Sequence, residues 1–207
     1  MKSMLKDAAI LLVITVFAGL ILGFVYDITK EPIAQAEAQA AREAYGEVFA
    51  GAADFVMLEE GMPQDAAFLT GWAEAGFEGV TIENVLNATD DGGNLLGYVL
   101  TVTSHEGYGG DITFTMGICM DGTVNGISIL SISETAGLGM KAEEVLKPQF
   151  ANKQVAKFTY TKSGSTMDSE IDAISGATIT TDAVVTAVNG GLYYFQTQLG
   201  GGSYEAK

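Results

Sequence analysis

Thr178 closes the run Asp172-Ala173-Ile174-Ser175-Gly176-Ala177-Thr178, and Ile179, Thr180 and Thr181 follow at once. Small residues before Thr178 leave its hydroxyl sterically open, so a bulky group could be joined to it. Downstream, Asp182 to Phe195 has helical spacing, which sets these hydroxyls where a helix begins, and helix N-termini favour phosphate. Two chemistries fit the segment. Thr178 accepts a phosphorylated group, or Thr180 or Thr181 simply caps the helix.

Two further loops carry unusual spacing. One is Glu134-Thr135-Ala136-Gly137-Leu138-Gly139. The other is Gly107-Tyr108-Gly109-Gly110-Asp111-Ile112, with Gly117-Ile118 and Asp121-Gly122 after it. Other chemistries have less support. Cys119 is the single cysteine, so no internal disulfide and no cysteine-held iron–sulfur cluster can form; its apolar run predicts a packed core residue. His105 is the single histidine, without the companions of a zinc site or the G-x-S-x-G elbow of a hydrolase.

The elements that must position these loops begin with a membrane anchor. Ala8 to Tyr26 has no charged residue, and as a helix it spans roughly 28 Å, close to a bilayer core. The stretch at its end, Tyr26-Asp27-Ile28-Thr29-Lys30-Glu31-Pro32, is a poor cleavage site, which favours a retained anchor over a signal peptide. Lys2, Lys6 and the N-terminal amine precede the span, so the N-terminus is expected in the cytoplasm and the rest outside it. The expected divisions are 1–7 cytoplasmic, 8–26 transmembrane, 27–50 a helix leading to the domain, and 51–207 an extracytoplasmic domain ending in the Gly200-Gly201-Gly202 tail.

The net charge is -16, and no Lys or Arg lies between Arg42 and Lys141. Nucleic acid and anionic lipid are poor partners for such a surface. Lys141, Lys147, Lys153, Lys157 and Lys162 gather before Thr178, either as positive charge for a phosphate or as exposed lysines on a solvated face. Residues 51–79 read as mixed, with Trp72 as a core anchor. Strand patterns then pair 81–86 with 95–102 across Asp90-Asp91-Gly92-Gly93, and 112–120 with 124–130 across Asp121-Gly122-Thr123. A helical stretch at 142–146, a short strand near 154–160 and a long last helix complete an α+β domain with a largely antiparallel sheet and flanking helices.

D-x-x-S-G-A-T at 172–178, E-T-x-G-L-G at 134–139 and G-Y-x-G at 107–110, in that setting, resemble the FMN-binding subunits of Rnf and Na+-translocating NADH:quinone oxidoreductase complexes. The resemblance spans the whole chain, and the anchor and length look more like the G subunit of Rnf than the longer C subunit of the quinone reductase. The family usually has Pro where this chain has Ala136, a change that removes one fixed φ. The resemblance implies FMN joined to Thr178 by a phosphoester, attached by a flavin transferase that uses FAD and Mg2+ and releases AMP. It implies that Asp172 belongs to the sequence which that transferase recognises.

It also implies flavin contacts at Glu134, Thr135, Gly137, Leu138, Ser175, Gly176, Ala177 and Thr180. Gly137 and Gly139 would let backbone approach the flat ring, Leu138 would pack on it, and Thr135 or backbone N–H groups would reach its carbonyl edge. Glu134 would accept from a ring N–H or orient the loop; its alternative is a capping or solvent-facing carboxylate. The implied function is electron transfer among other membrane subunits of a complex coupling ferredoxin:NAD+ electron transfer to Na+ or H+ movement, not catalysis by this chain alone. Neither NAD nor ferredoxin is expected to bind here, for want of a G-x-G-x-x-G after a strand and of cluster ligands. The rival readings are the quinone reductase C subunit, a stand-alone anchored flavoprotein, and a non-redox anchored binding module.

Overall fold

The computed structural model describes residues 2–200; Met1 with the N-terminal amine, the Lys2 side chain, and residues 201–207 with Gly201 and Gly202 lie outside that description. The chain divides into two units, Met1–Ala40 and Ala41–Lys207.

The first unit is helical. It holds most of α1 (Lys2–Val48), which runs on through Pro32. Proline withholds one backbone hydrogen bond there without ending the helix. Leu11, Leu12, Phe17, Leu20, Leu22 and Phe24 are exposed around the helix. A helix that is apolar on every side suits lipid rather than the surface of a soluble domain. Among the described residues it is the one helix long and apolar enough to cross a membrane.

The second unit is built on five strands: β1 (Asp54–Glu60), β2 (Val80–Thr89), β3 (Leu95–Ser104), β4 (Ile112–Cys119) and β5 (Val124–Ile132). They pair antiparallel in chain order. Residues alternate between faces along each strand. Leu100, Val102, Phe114 and Met116 turn to one face, where α4 (Thr178–Gln198) brings Ala183, Val184, Val188 and Leu192 against them. Each fully buried side chain among them larger than alanine contributes roughly 1.5–3 kcal/mol. Leu86, Ala88 and Val99 turn to the other face and pack on Tyr45, Val48 and Phe49. The close fit there needs glycine: a Cβ on Gly117 would lie 2.5 Å from the Val48 carbonyl oxygen.

The two expected hairpins form with strand ends shifted by a few residues, and the α+β class holds. Residues 51–79, read only as mixed, hold β1 and α2 (Ala66–Glu74). Asp65 caps α2 by accepting from the Phe68 N–H at 3.0 Å. Trp72 on α2 is buried, and its indole N–H donates to the Val80 carbonyl at 3.1 Å. After α3 (Ala142–Val145) and a 3-10 turn at Lys147–Phe150, the strand expected near 154–160 is only β6 (Thr159–Thr161). It pairs parallel with β7 (Glu170–Asp172), too short a strand to show period-2 alternation in the sequence.

Cys119, expected as a packed core residue, is half-buried and packs against the second cluster, that of Tyr45, Val48 and Phe49, and its thiol donates to Asn125 Oδ1 at 3.2 Å. Burial pushes that thiol above its ordinary range. The alternation that puts Ile118 in the first cluster turns Cys119 to the second.

Candidate functional site

Thr178 is the first residue of α4, and the preceding loop delivers it there. Gly176 takes a φ of +80°, a left-handed turn that glycine adopts without a Cβ penalty. The Ala177 N–H donates to the Ile174 carbonyl at 3.0 Å. Thr181, fully buried one turn into the helix, locks this turn. Its hydroxyl donates to the Ala177 carbonyl at 2.9 Å and accepts from the Ile174 N–H at 3.1 Å.

The capping alternative for Thr180 or Thr181 does not hold. The N-cap position is Ala177, which makes no side-chain cap bond, and Thr181 reaches back four residues from inside the helix instead. Thr180 is buried as well and faces the neighbouring loop.

Asp172 anchors the upstream end. Its N–H donates to Gln149 Oε1 at 2.7 Å and its carbonyl accepts from Gln149 Nε2 at 3.1 Å. Its carboxylate accepts from the Ser165 N–H at 2.5 Å and the Ser165 hydroxyl at 3.3 Å. Asp172 thus fixes two stretches of chain at once, one leading to Thr178 and the other carrying Lys162.

The facing loop folds on itself. The Leu138 N–H donates to the Thr135 carbonyl at 3.1 Å, and Gly137 turns left-handed at φ +77°. Glu134 is buried, and its Oε1 accepts from the Gly109 N–H at 3.2 Å. Glu134 thus ties the two loops together and does not face solvent. At Gly139 the facing loop meets α4. A Cβ there would stand 2.6 Å from Thr180 Oγ1 and 2.7 Å from Glu134 Oε2, so only glycine fits without displacing one of them.

Between these surfaces lies a cavity of about 510 Å3. Glu134, Thr135, Leu138 and Gly139 form one wall, and Gly176, Ala177, Thr178, Ile179 and Thr180 the other, with Tyr108 alongside. Leu138, Ile179 and Tyr108 are exposed and offer apolar surface, while Glu134, Thr135 and Thr180 supply polar groups. That mixture suits a flat, mostly apolar ligand with a polar edge. A second cavity of about 350 Å3 shares Gly176 and Thr178, and adds Lys162, Ala173, Ile174 and Ser175.

Comparison with known proteins matches residues 107–192 to the FMN-binding domain and residues 1–48 to the RnfG N-terminal region. The G subunit of the Na(+)-translocating ferredoxin:NAD(+) oxidoreductase complex of Acetobacterium woodii is 32% identical over 198 residues, which cover 94% of this chain and 93% of that one. The chain belongs to the RnfG family, the G subunits of ion-translocating oxidoreductase complexes. A second member of this family, from Methanosarcina acetivorans, is 31% identical over 201 residues, covering 96% of this chain and 98% of its own. The crystal structure of Shewanella oneidensis NqrC aligns at a TM-score of 0.49 and 22% identity, covering 72% of this chain and 70% of that chain.

The FMN-binding domain match runs from the glycine–tyrosine loop through most of α4, and so takes in both walls of the larger cavity. Of the residues expected to contact flavin, Glu134, Thr135, Leu138, Gly176, Ala177 and Thr180 line it together with Thr178. Ser175 lines the second cavity instead, and Gly137 lines neither, acting only as the turn behind Leu138. Asp172 lines neither cavity. Gly139, expected to let backbone approach the ring, lines the larger cavity as well. Tyr108 and Ile179 also line it and were absent from the expected contacts; both sit inside or beside the motifs already singled out, which was the available signal.

Proposed function

We propose that this chain is the FMN-bearing electron-transfer subunit of a membrane complex coupling ferredoxin:NAD+ electron transfer to Na+ or H+ movement, with FMN joined to Thr178 Oγ1 through a phosphoester. One observation supports this most strongly. Thr178 stands on the wall of a cavity of about 510 Å3 whose two sides are the E-T-x-G-L-G and S-G-A-T loops. The relative from Acetobacterium woodii is named as a subunit of a complex of this kind.

In attachment, a flavin transferase using FAD and Mg2+ supplies the FMN phosphoryl group. The Thr178 oxygen forms the new P–O bond, its hydroxyl proton is lost, and the bond to AMP breaks with AMP leaving. Thr178 is an acceptor and a tether, not a catalytic nucleophile. Thr181 and Gln149 hold the acceptor loop in one conformation from its two ends. When bound, FMN supplies the redox chemistry, and the protein supplies position and electrostatics.

The side chains divide that work. Leu138 and Ile179 would cover apolar ring surface, Tyr108 would lie along one side, and the second carboxylate oxygen of Glu134 would accept from a ring N–H. A covalent tether prevents loss of FMN outside the cytoplasm. The N-terminus is cytoplasmic, the flavin domain lies outside the cell membrane, and the other membrane subunits of the complex are its partners.

The test is colour retained after denaturation. Protein made with an active flavin transferase should keep a flavin absorbance band after acid precipitation and washing, and Thr178→Ala should lose it. A wild-type chain left colourless in cells that flavinylate another substrate would overturn the reading.

A further inference from the structure

Resting on that attachment reading, we propose that Lys162 is the counter-charge for the phosphoester on Thr178, seated in the second cavity, and that Asp172 is the positioning residue that holds it there. Thr178 lines both cavities, so a group on its oxygen borders each of them. The larger cavity offers apolar surface and polar groups, and its one charged residue is the acidic Glu134. The smaller one is lined by Lys162, Ala173, Ile174, Ser175 and Gly176 beside Thr178, and Lys162 is its one charged residue.

The other lysines of the cluster are occupied or elsewhere. Lys147 pairs with Glu47 at 2.7 Å and Glu143 at 3.3 Å, and Lys153 pairs with Asp168 at 2.5 Å. Lys141 and Lys157 line neither cavity. Lys162 alone of the five lines a cavity that includes Thr178, and it forms no ion pair among the described residues.

Its placement is also built. Lys162 follows β6, and the turn after it is drawn back by Asp172, whose carboxylate accepts two hydrogen bonds from Ser165. β6 and β7 pair Thr161 with Asp172, so the residue before Lys162 and the residue that braces its turn are register partners. The main chain of Asp172 is in turn held by Gln149. A phosphodiester carries one full negative charge, and a charge-assisted hydrogen bond from an ammonium is about twice as strong as a neutral one.

The experiment uses full-length flavinylated protein and reads the phosphoester by 31P NMR, with intact mass first confirming that the chain carries FMN. Lys162→Gln should move the 31P resonance toward that of a free FMN diester and narrow it, Lys162→Arg should keep the wild-type position, and Asp172→Asn should give a smaller shift in the same direction. An unmoved, unnarrowed resonance in fully flavinylated Lys162→Gln would overturn this inference and leave the attachment intact. An unmodified wild-type chain overturns the attachment reading and this inference with it.

Should Lys162→Gln alone emerge without FMN, inorganic phosphate is titrated into unmodified wild type and variant, followed by amide shifts at Ser175–Thr178. Binding about tenfold weaker in the variant supports the site, and equal binding overturns it.

Discussion

Gly139 and Thr180 touch so closely that a single methyl group on the first would sit 2.6 Å from the hydroxyl of the second. The contact joins the E-T-x-G-L-G loop to the first turn of α4, and it sets the width of the cavity between them. Gly139→Ala must push one wall away from the other. Overpacking of this kind costs about 1–3 kcal/mol. The expected outcome is a lower melting temperature of the full-length protein in detergent and less FMN per chain. An unchanged melting temperature with full flavin content would show that the two loops yield freely.

Thr181 supplies the second prediction. Thr181→Val keeps the shape of the side chain but removes the hydroxyl that serves both Ile174 and Ala177. A buried N–H left unpaired costs about 1–3 kcal/mol. Thr181→Val should therefore destabilise the chain by that amount in urea unfolding and reduce flavin attachment, and Thr181→Ser should restore both. Equal loss in the serine and valine variants would mean that packing, not the hydroxyl, matters here.

How much of this was legible in the sequence depends on the range of the interaction. The hairpins follow from period-2 alternation and from turns such as Asp90-Asp91-Gly92-Gly93, so they could be read locally. The acceptor loop and its opposing glycine loop could be read because the backbone needs glycine at Gly137 and Gly176. The part Thr181 plays was not legible, because its partners, Ile174 and Ala177, are identified only once the turn is closed. The Gln149–Asp172 clasp spans 23 residues and leaves no periodic trace. Tyr108 lies 70 residues before Thr178, and only the folded sheet brings them to one cavity.

Glu47 and Lys147 give a pH prediction. Lys147 holds the Glu47 carboxyl below its ordinary 4.5, with Ser128 adding a second hydrogen bond. Burial pulls Lys147 down, but Glu47 and Glu143 outweigh it and leave the ammonium above its ordinary 10.5. The lowered carboxylate adds stability above pH 4.5 that is lost as pH falls through its folded value. The raised ammonium adds stability below pH 10.5 that is lost as pH rises through its own. The Glu47 side chain is 49% exposed, so solvent screens the pair to about 1 kcal/mol or less. Urea midpoints of wild type and Glu47→Gln should differ most between these limits and converge in acid. A gap that persists at pH 3 would point to packing instead.

Gln149→Leu tests the clasp on Asp172. It removes both hydrogen bonds to the Asp172 backbone while keeping side-chain bulk. Amide hydrogen exchange at 172–177 should quicken by about tenfold, with strands β3 and β4 unaffected. Faster exchange spread evenly over the domain would show global destabilisation rather than a local clasp.

The most direct test of the central claim is localisation of the flavin on native protein. Trypsin releases Ser163–Lys207 as one peptide, because no Lys or Arg lies between Lys162 and Lys207. Fragmentation of that peptide should place the mass of one FMN less one water on Thr178. The same mass on Ser175 or Thr180, or a bare peptide from cells with a working flavin transferase, would contradict the account.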